Sequence, residues 1–325
     1  MSCLRPTASQ WPSSRLASGL VGLLALAIVA VGCGGGTTES VSVDGSSTVF
    51  PLTEAVAEEF MEDTQGARVN VGVSGTGGGF SKFLRGDIAI NDASRPISPE
   101  EIEKAAQNGV EYIEIPIAYD GLAVVVHPEN DWVECVTAGE LEELWAPNSS
   151  IDRWSQLRDD FPDRPIDLYG PGTASGTYDY FTEAIMGESG ASRSDFTASE
   201  DDNVLVQGIK GTETSLGYFG LAYYENNAGD LKALGVDPDQ PNSGAPCVTP
   251  SAETVQNGTY RPLSRPLFIY VNPAKVTPTV ETFVEFYLQN AGELASDVGY
   301  VAMPDDAYDL ALERFQSRTT GTVFG

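Results

Sequence analysis

Histidine and lysine are scarce in this chain of 325 residues, which holds one His, His127, and five Lys. A lone imidazole excludes a His-rich zinc site and leaves at most one imidazole base. Basic residues number 18 against 47 acids, a formal net charge of -29. That balance argues against nucleic acid or an anionic lipid surface as a direct partner, because both demand a basic face. There is no repeat of solenoid length, no heptad seam and no EF-hand spacing among the acids. No metal and no cofactor is expected. What is present is a hydrophobic fraction of 41%, enough for packed cores, and a length that suggests about two domains.

The N-terminus bears on the compartment. Residues 1–15 carry Arg5 and Arg15 and no acid, and Leu16 to Val31 is almost entirely small or apolar. A basic flank before so short a run reads as a secretory leader, since a spanning helix needs ~20 apolar residues. The run ends Ala30-Val31-Gly32-Cys33, which resembles a bacterial lipobox although the pattern prefers Leu where Ala30 stands. Residues 1–32 are thus expected to be a lipoprotein signal peptide, Cys33 the lipidated residue, and 33–40 a flexible tether. The alternative is an ordinary leader with Cys33 left over. An anchor of this kind places a protein on a membrane, not through it. Cys135 and Cys247 then remain, and outside the cytoplasm such a pair is expected to form a disulfide, the alternative being two buried thiols.

From Val41 onward short apolar runs alternate with amphipathic helical patterns. Strands are expected at 41–43, 69–73, 166–169 and 267–271. Helices are expected at 51–63, 80–85, 177–186, near 280–290 and at 305–316. Ser98-Pro-Glu-Glu101 and Thr137-Ala-Gly-Glu140 are capping boxes opening two more helices. Such units predict α/β domains with largely parallel sheets. Two apolar stretches, 115–126 and 266–271, are placed to carry the chain between two lobes. One lobe would comprise residues 41–118 plus 268–325 and the other 119–267.

One pattern occurs three times: a strand, a turn rich in Gly, Ser and Thr, and a helix. The turns are Asp44 to Phe50, Ser74 to Gly79 and Gly170 to Thr177. Free amides and about half a positive charge gather at such helix starts, and hydroxyls add donors. A Ser or Thr there is also an ordinary N-cap. Three turns in matched positions, two in one lobe and one in the other, point to capture of a small oxyanion by neutral donors.

Gly45-Ser-Ser-Thr-Val-Phe-Pro-Leu52, Gly75-Thr-Gly-Gly-Gly-Phe80, Asp92-Ala-Ser-Arg-Pro96 and Ser175-Gly-Thr-Tyr-Asp-Tyr-Phe181 carry a resemblance. With Gly217 to Tyr224 and Ser264 to Tyr270, they resemble the phosphate-binding lipoproteins of bacterial phosphate ABC transporters over nearly the whole mature chain. The resemblance implies a two-lobed periplasmic-binding-protein fold of type II, each lobe a mixed, mostly parallel sheet flanked by helices, joined by two crossing strands. It implies an extracytoplasmic, lipid-anchored receptor, in the periplasm or on the outer face of the cell membrane. Such a receptor is expected to be a monomer that hands inorganic phosphate to ABC permease subunits. By position the phosphate would meet the Ser47 and Thr48 hydroxyls, the Val49 and Phe50 amides, Thr76, and Ser175, Gly176 and Thr177.

Two positions depart from the family pattern. Pro171 stands where better-known members have an arginine, and Arg95 where they have an aspartate. Arg95 is therefore the candidate cationic contact, unless it pairs with an acid such as Asp92. With the usual aspartate replaced, Asp92 or Asp44 are candidate acceptors for the proton that phosphate carries and sulfate lacks. The other readings are a receptor for sulfate or arsenate, a sensor or adhesin on the same fold, and a secreted phosphate-ester hydrolase. For the hydrolase the motifs fall short. Gly72 to Thr76 lacks the last glycine of a nucleophile elbow, and Lys82 lacks the flanks of a P-loop lysine.

Overall fold

Val41 and Val43 alternate inward along the first strand, and Leu52, Val56 and Phe60 recur at helical spacing after it. Those two periods, two and about 3.6, set the architecture. The computed structural model describes residues 40–238 and 247–323. The expected leader, tether and Cys33 lie outside the described residues.

The chain opens with β1 (Ser40–Gly45), α1 (Phe50–Asp63), β2 (Arg68–Val73), α2 (Thr76–Phe83), β3 (Ile90–Ala93) and α3 (Pro99–Asn108). A 14-residue strand, β4 (Ile113–Val126), leads to β5 (Cys135–Thr137), α4 (Ala138–Trp145) and α5 (Trp154–Leu157). Then come β6 (Asp167–Pro171), α6 (Gly176–Met186), β7 (Thr197–Ser199), α7 (Asp202–Lys210), β8 (Ser215–Gly220) and α8 (Leu221–Asn226). Short β9 (Lys232–Ala233), β10 (Gly235–Asp237) and α9 (Ala252–Gln256) precede β11 (Ser264–Val271), α10 (Pro278–Asp297) and α11 (Asp305–Gln316).

The main sheet runs β2-β1-β3-β11-β4-β8-β6-β7, with β9 also pairing β4. The triads β2-β1-β3 and β7-β6-β8 are parallel, and the antiparallel pair β11-β4 lies between them. The first part of β4 pairs with β11 and its last five residues with β8, so one continuous strand serves both halves of the sheet. Pro116, which lacks an amide donor, falls where the β4-β11 register shifts, at Leu267/Phe268. The fold is thus the α/β periplasmic-binding-protein arrangement, mostly parallel sheet with flanking helices and two crossing strands.

Apolar burial follows the same division. One core packs Phe60 of α1 against Phe283 of α10, ring centroids 5.2 Å apart, over Ile113, Ile115 and Ile117 of β4. A second, on the opposite side of the crossing, gathers Trp145, Phe181 and Tyr218, with Phe181 stacked 3.7 Å from Tyr218. Both expected capping boxes are present: Ser98 and Glu101 cap α3, and Thr137 and Glu140 cap α4. Cys135 and Cys247 form a disulfide, which ties β5 to the segment that bridges β10 at Val248.

Two helices differ from the sequence expectation in extent. α2 begins at Thr76, so the glycines read as turn are helical; Gly79 lies where a Cβ would meet Asn91 Oδ1 at 1.9 Å and the Gly45 Cα at 2.7 Å. Tertiary packing of a helix directly on β1 and β3 outweighs the poor helix propensity of glycine. α10 runs on to Asp297 because Ala291, Leu294 and Ala295 continue its buried stripe. No helix among the described residues is long and apolar enough to cross a membrane.

Candidate functional site

Gly45, Val73 and Asp92 lie in register at the ends of β1, β2 and β3, so the chain leaves three neighbouring parallel strands at one level. Carboxyl ends of parallel strands are where α/β sheets hold ligands. Gly45 must be glycine, since at φ 150° a Cβ would lie 2.1 Å from the Asp92 carbonyl oxygen.

The first turn is wound about Ser46. Its amide donates to the Asp92 carbonyl at 3.0 Å, and its Oγ accepts the amides of Thr48 at 3.2 Å and Val49 at 3.4 Å. The Phe50 amide donates to the Ser46 carbonyl at 3.1 Å. The Val49 and Phe50 amides are therefore satisfied inside the turn, and Val49 is fully buried. Ser47 stands outside this network: its amide and hydroxyl take no partner among the described residues. At the second turn Thr76 Oγ1 accepts the Ser94 amide at 3.2 Å, which ties the start of α2 to the chain leaving β3. The amides of Thr76 and Gly77, in the first turn of α2, likewise take no acceptor among the described residues.

Ser47, Thr48, Thr76, Gly77, Ser94 and Arg95 form one wall of a cavity of about 230 Å³. Asp179, Glu183, Ser189 and Arg265 form the rest, with Ser46 and Gly75. A second, adjoining cavity of about 420 Å³ shares Ser47 and is lined by Phe50, Asp120, Ser175, Gly176, Thr177 and Tyr300 among others. The structure thus brings Ser47, Thr48, Thr76 and Arg95 to one cavity and Ser175, Gly176 and Thr177 to its neighbour. Gly176 bears on Thr48 where the two meet. Ser175 caps α6 in the ordinary way, its Oγ accepting the Thr177 amide at 3.2 Å.

Arg95 pairs with Glu101, not with Asp92: its two terminal nitrogens reach the two Glu101 oxygens at 2.8 and 3.0 Å. Burial pushes the Glu101 carboxyl up, but hydrogen bonds from Arg95 and Ser98 outweigh it and leave the group below the usual carboxylate range. Neither acid considered as an acceptor faces the cavity. Asp44 is engaged by Lys82 Nζ at 2.5 Å and by the Ser74 hydroxyl. Asp92 is fully buried, and burial raises its carboxyl from 3.8 to about 8; nearby Thr53 offsets part of this and Asp44 adds to it. The carboxylates that do line the cavity are Asp179 and Glu183.

Arg265 is the residue that sequence reasoning missed. It sits on β11 in register with Asp120 of β4, and a strand reading gave no sign of what lay opposite. His127 Nδ1 accepts the Glu129 amide at 3.1 Å and so closes the turn after β4. Among the described residues no group of three or more His, Cys, Asp or Glu is placed to hold a metal ion.

A family profile described as a PBP superfamily domain matches residues 34–291. The chain is 48% identical to Protein SphX of Synechocystis, over 96% of this chain and 93% of that one. It is 38% identical to the Phosphate-binding protein PstS of Staphylococcus saprophyticus, over 85% of this chain and 86% of that one. The crystal structure of a possible phosphate binding protein from Planctomyces limnophilus matches with a TM-score of 0.82 at 43% identity, covering 87% of this chain and 99% of its own. Profile, identity and fold agree, and the chain belongs to the PBP superfamily, in the family of the PstS and SphX proteins.

Proposed function

We propose that this protein is an extracytoplasmic receptor that captures inorganic phosphate and presents it to the permease of an ABC transporter. The observation that carries the reading is the cavity at the ends of β1, β2 and β3. There the open amides of Ser47, Thr76 and Gly77, several hydroxyls and the guanidinium groups of Arg95 and Arg265 meet in about 230 Å³. Amide dipoles, hydroxyls and guanidinium groups hold an oxyanion without a basic surface, so the acidity of the chain does not oppose it. The many exposed carboxylates act weakly beyond ~8 Å at physiological salt.

In this reading residues 41–118 plus 268–325 form one lobe and 119–267 the other, and they move about β4 and β11. Ser47, Thr48, Thr76 and Arg95 hold the anion from the first lobe. Closure brings Ser175, Gly176 and Thr177 against it, while the Val49 and Phe50 amides turn outward only if the turn about Ser46 rewinds. Closure is favoured solely by contacts the ligand gains in the closed state. Asp179 or Glu183 accepts the proton of hydrogen phosphate, which sulfate cannot supply. The protein acts as a monomer, held at the membrane by lipid on Cys33, and carries out no chemistry. The imidazole of His127 is committed to its own turn, and the Ser189 hydroxyl in the cavity donates to the Asp179 carboxylate at 3.1 Å.

Calorimetric titration with phosphate, sulfate and arsenate tests the reading. One phosphate per chain, with sulfate far weaker, is the expected result. Absence of heat with phosphate sinks it, and turnover of a phosphate ester would move the protein to the hydrolases. Radiolabelled palmitate incorporation, lost in Cys33→Ser, tests the anchor.

A further inference from the structure

The two arginines that line the cavity are neutralised unequally. Arg95 is 39% exposed and forms a fork-to-fork pair with Glu101 at 2.8 and 3.0 Å. Arg265 is only 12% exposed, yet its carboxylate contacts are long, 3.4 Å to Asp120 and 3.5 Å to Glu183. Among the described residues its one short bond, 2.9 Å, goes to the neutral Thr48 hydroxyl. A guanidinium withdrawn from water requires short charge-assisted bonds to offset its lost hydration, and this one lacks them. Its plane is held over the Tyr180 ring, 3.6 Å from the centroid, so its donors are fixed in direction at little further entropic cost.

Arg265 also stands where the parts of the site meet. It grows from β11, faces Asp120 of β4, and touches the turn after β1 through Thr48 and helix α6 through Tyr180 and Glu183. We infer that Arg265 supplies the principal charge-assisted contact to the bound oxyanion, while Arg95 remains chiefly the partner of Glu101. The anion takes the place of the long Glu183 contact, and Thr48 and Asp120 keep the guanidinium in position. The inference rests on the phosphate-capture reading and names the cation that reading needs.

Removing Arg265 alone strands the buried Asp120, so the test compares Arg265→Gln with its parent in an Asp120→Asn background. Folding is checked by circular dichroism and affinity by calorimetry with inorganic phosphate. Loss of a charge-assisted contact is expected to weaken binding roughly tenfold to a hundredfold. Arg265→Lys, which keeps the charge but loses the stacked planar fork, is expected to recover part of that loss, whereas a purely structural role would leave Lys as poor as Gln. Arg95→Gln is expected to cost less than Arg265→Gln. If the double variant does not fold, the arginine Nε–H resonances of the unaltered protein decide. On adding phosphate, the resonance missing from Arg265→Lys must shift more than the one missing from Arg95→Lys. Affinity within about threefold of the parent, or a larger loss from Arg95→Gln, overturns the inference alone. Absence of phosphate binding by the unaltered protein overturns the capture reading and this inference with it.

Discussion

Gly176, at the start of α6, stands so close to Thr48 that a Cβ on it would lie 3.0 Å from the Thr48 Cα and 3.2 Å from its amide nitrogen. Residues from the two sides of the β4-β11 crossing are thus in backbone contact at the site. Gly176→Ala is expected to hold the two turns apart by a few tenths of an ångström. Phosphate affinity should fall roughly threefold to tenfold, while the unliganded protein keeps its melting temperature, because alanine suits the first turn of a helix. Calorimetry alongside thermal melting separates the two effects; a lower melting point with unchanged affinity would refute the expectation.

The Arg95–Glu101 pair also closes the capping box of α3, since Glu101 Oε2 accepts the Ser98 amide at 2.8 Å. Glu101→Gln is expected to cost about 1 kcal/mol, the value being small because Arg95 is partly solvated. The sign follows from the depressed carboxyl of Glu101. A group whose folded pKa is lowered stabilises above its unfolded value and loses that contribution as pH falls through the folded one. Urea unfolding should therefore show the variant less stable at pH 7, with the difference shrinking on acidification below about 4.

Asp92 makes the opposite prediction. Its carboxyl is fully buried, and burial, chiefly, raises it from 3.8 to about 8, with nearby Thr53 offsetting only part of the rise. Between those values the folded state holds a proton that the unfolded chain releases, and stability is lost as pH rises through that window. Asp92→Asn, a neutral replacement of the same shape, is expected to match the native protein near pH 4 and to exceed it by a few kcal/mol at pH 9. Parallel unfolding curves for the two proteins across that range would count against a buried, protonated Asp92.

Cys135 and Cys247 are 112 residues apart and joined. Cross-linking so long a loop restricts the unfolded chain, and opening it by Cys135→Ser with Cys247→Ser is expected to cost about 2–4 kcal/mol. Neither cysteine lines either of the two adjoining cavities. Phosphate affinity at 25 °C should change less than threefold while the melting temperature falls, as measured by calorimetry and thermal melting.

The strand–turn–helix units around Ser47, Thr76 and Ser175 were legible because each rests on neighbours in the chain. Side-chain period, a small residue at the turn and a capping hydroxyl are all local. The capping boxes at Ser98 and Thr137 were legible for the same reason. β3 was not: Asn91 and Asp92 read as polar, yet both are fully buried, because the strand lies between β1 and β11. The partner of Arg95 was misplaced because Asp92 faces away from it, a matter of strand alternation that the one-dimensional string shows only once the strand is known.

Residue order alone was enough for the α/β class, the run of turns that present free amides, and the family to which those turns belong. It could not say which hydroxyls share a cavity, that Ser46 takes up the Val49 and Phe50 amides, or that Arg265 meets Thr48. Local conformation follows from a few consecutive residues, whereas the surroundings of a charge depend on what the sheet lays beside it. Thr48 and Arg265 are 217 positions apart and 2.9 Å from each other. Only the pairing of β11 with β3, and of β3 with β1, brings them together.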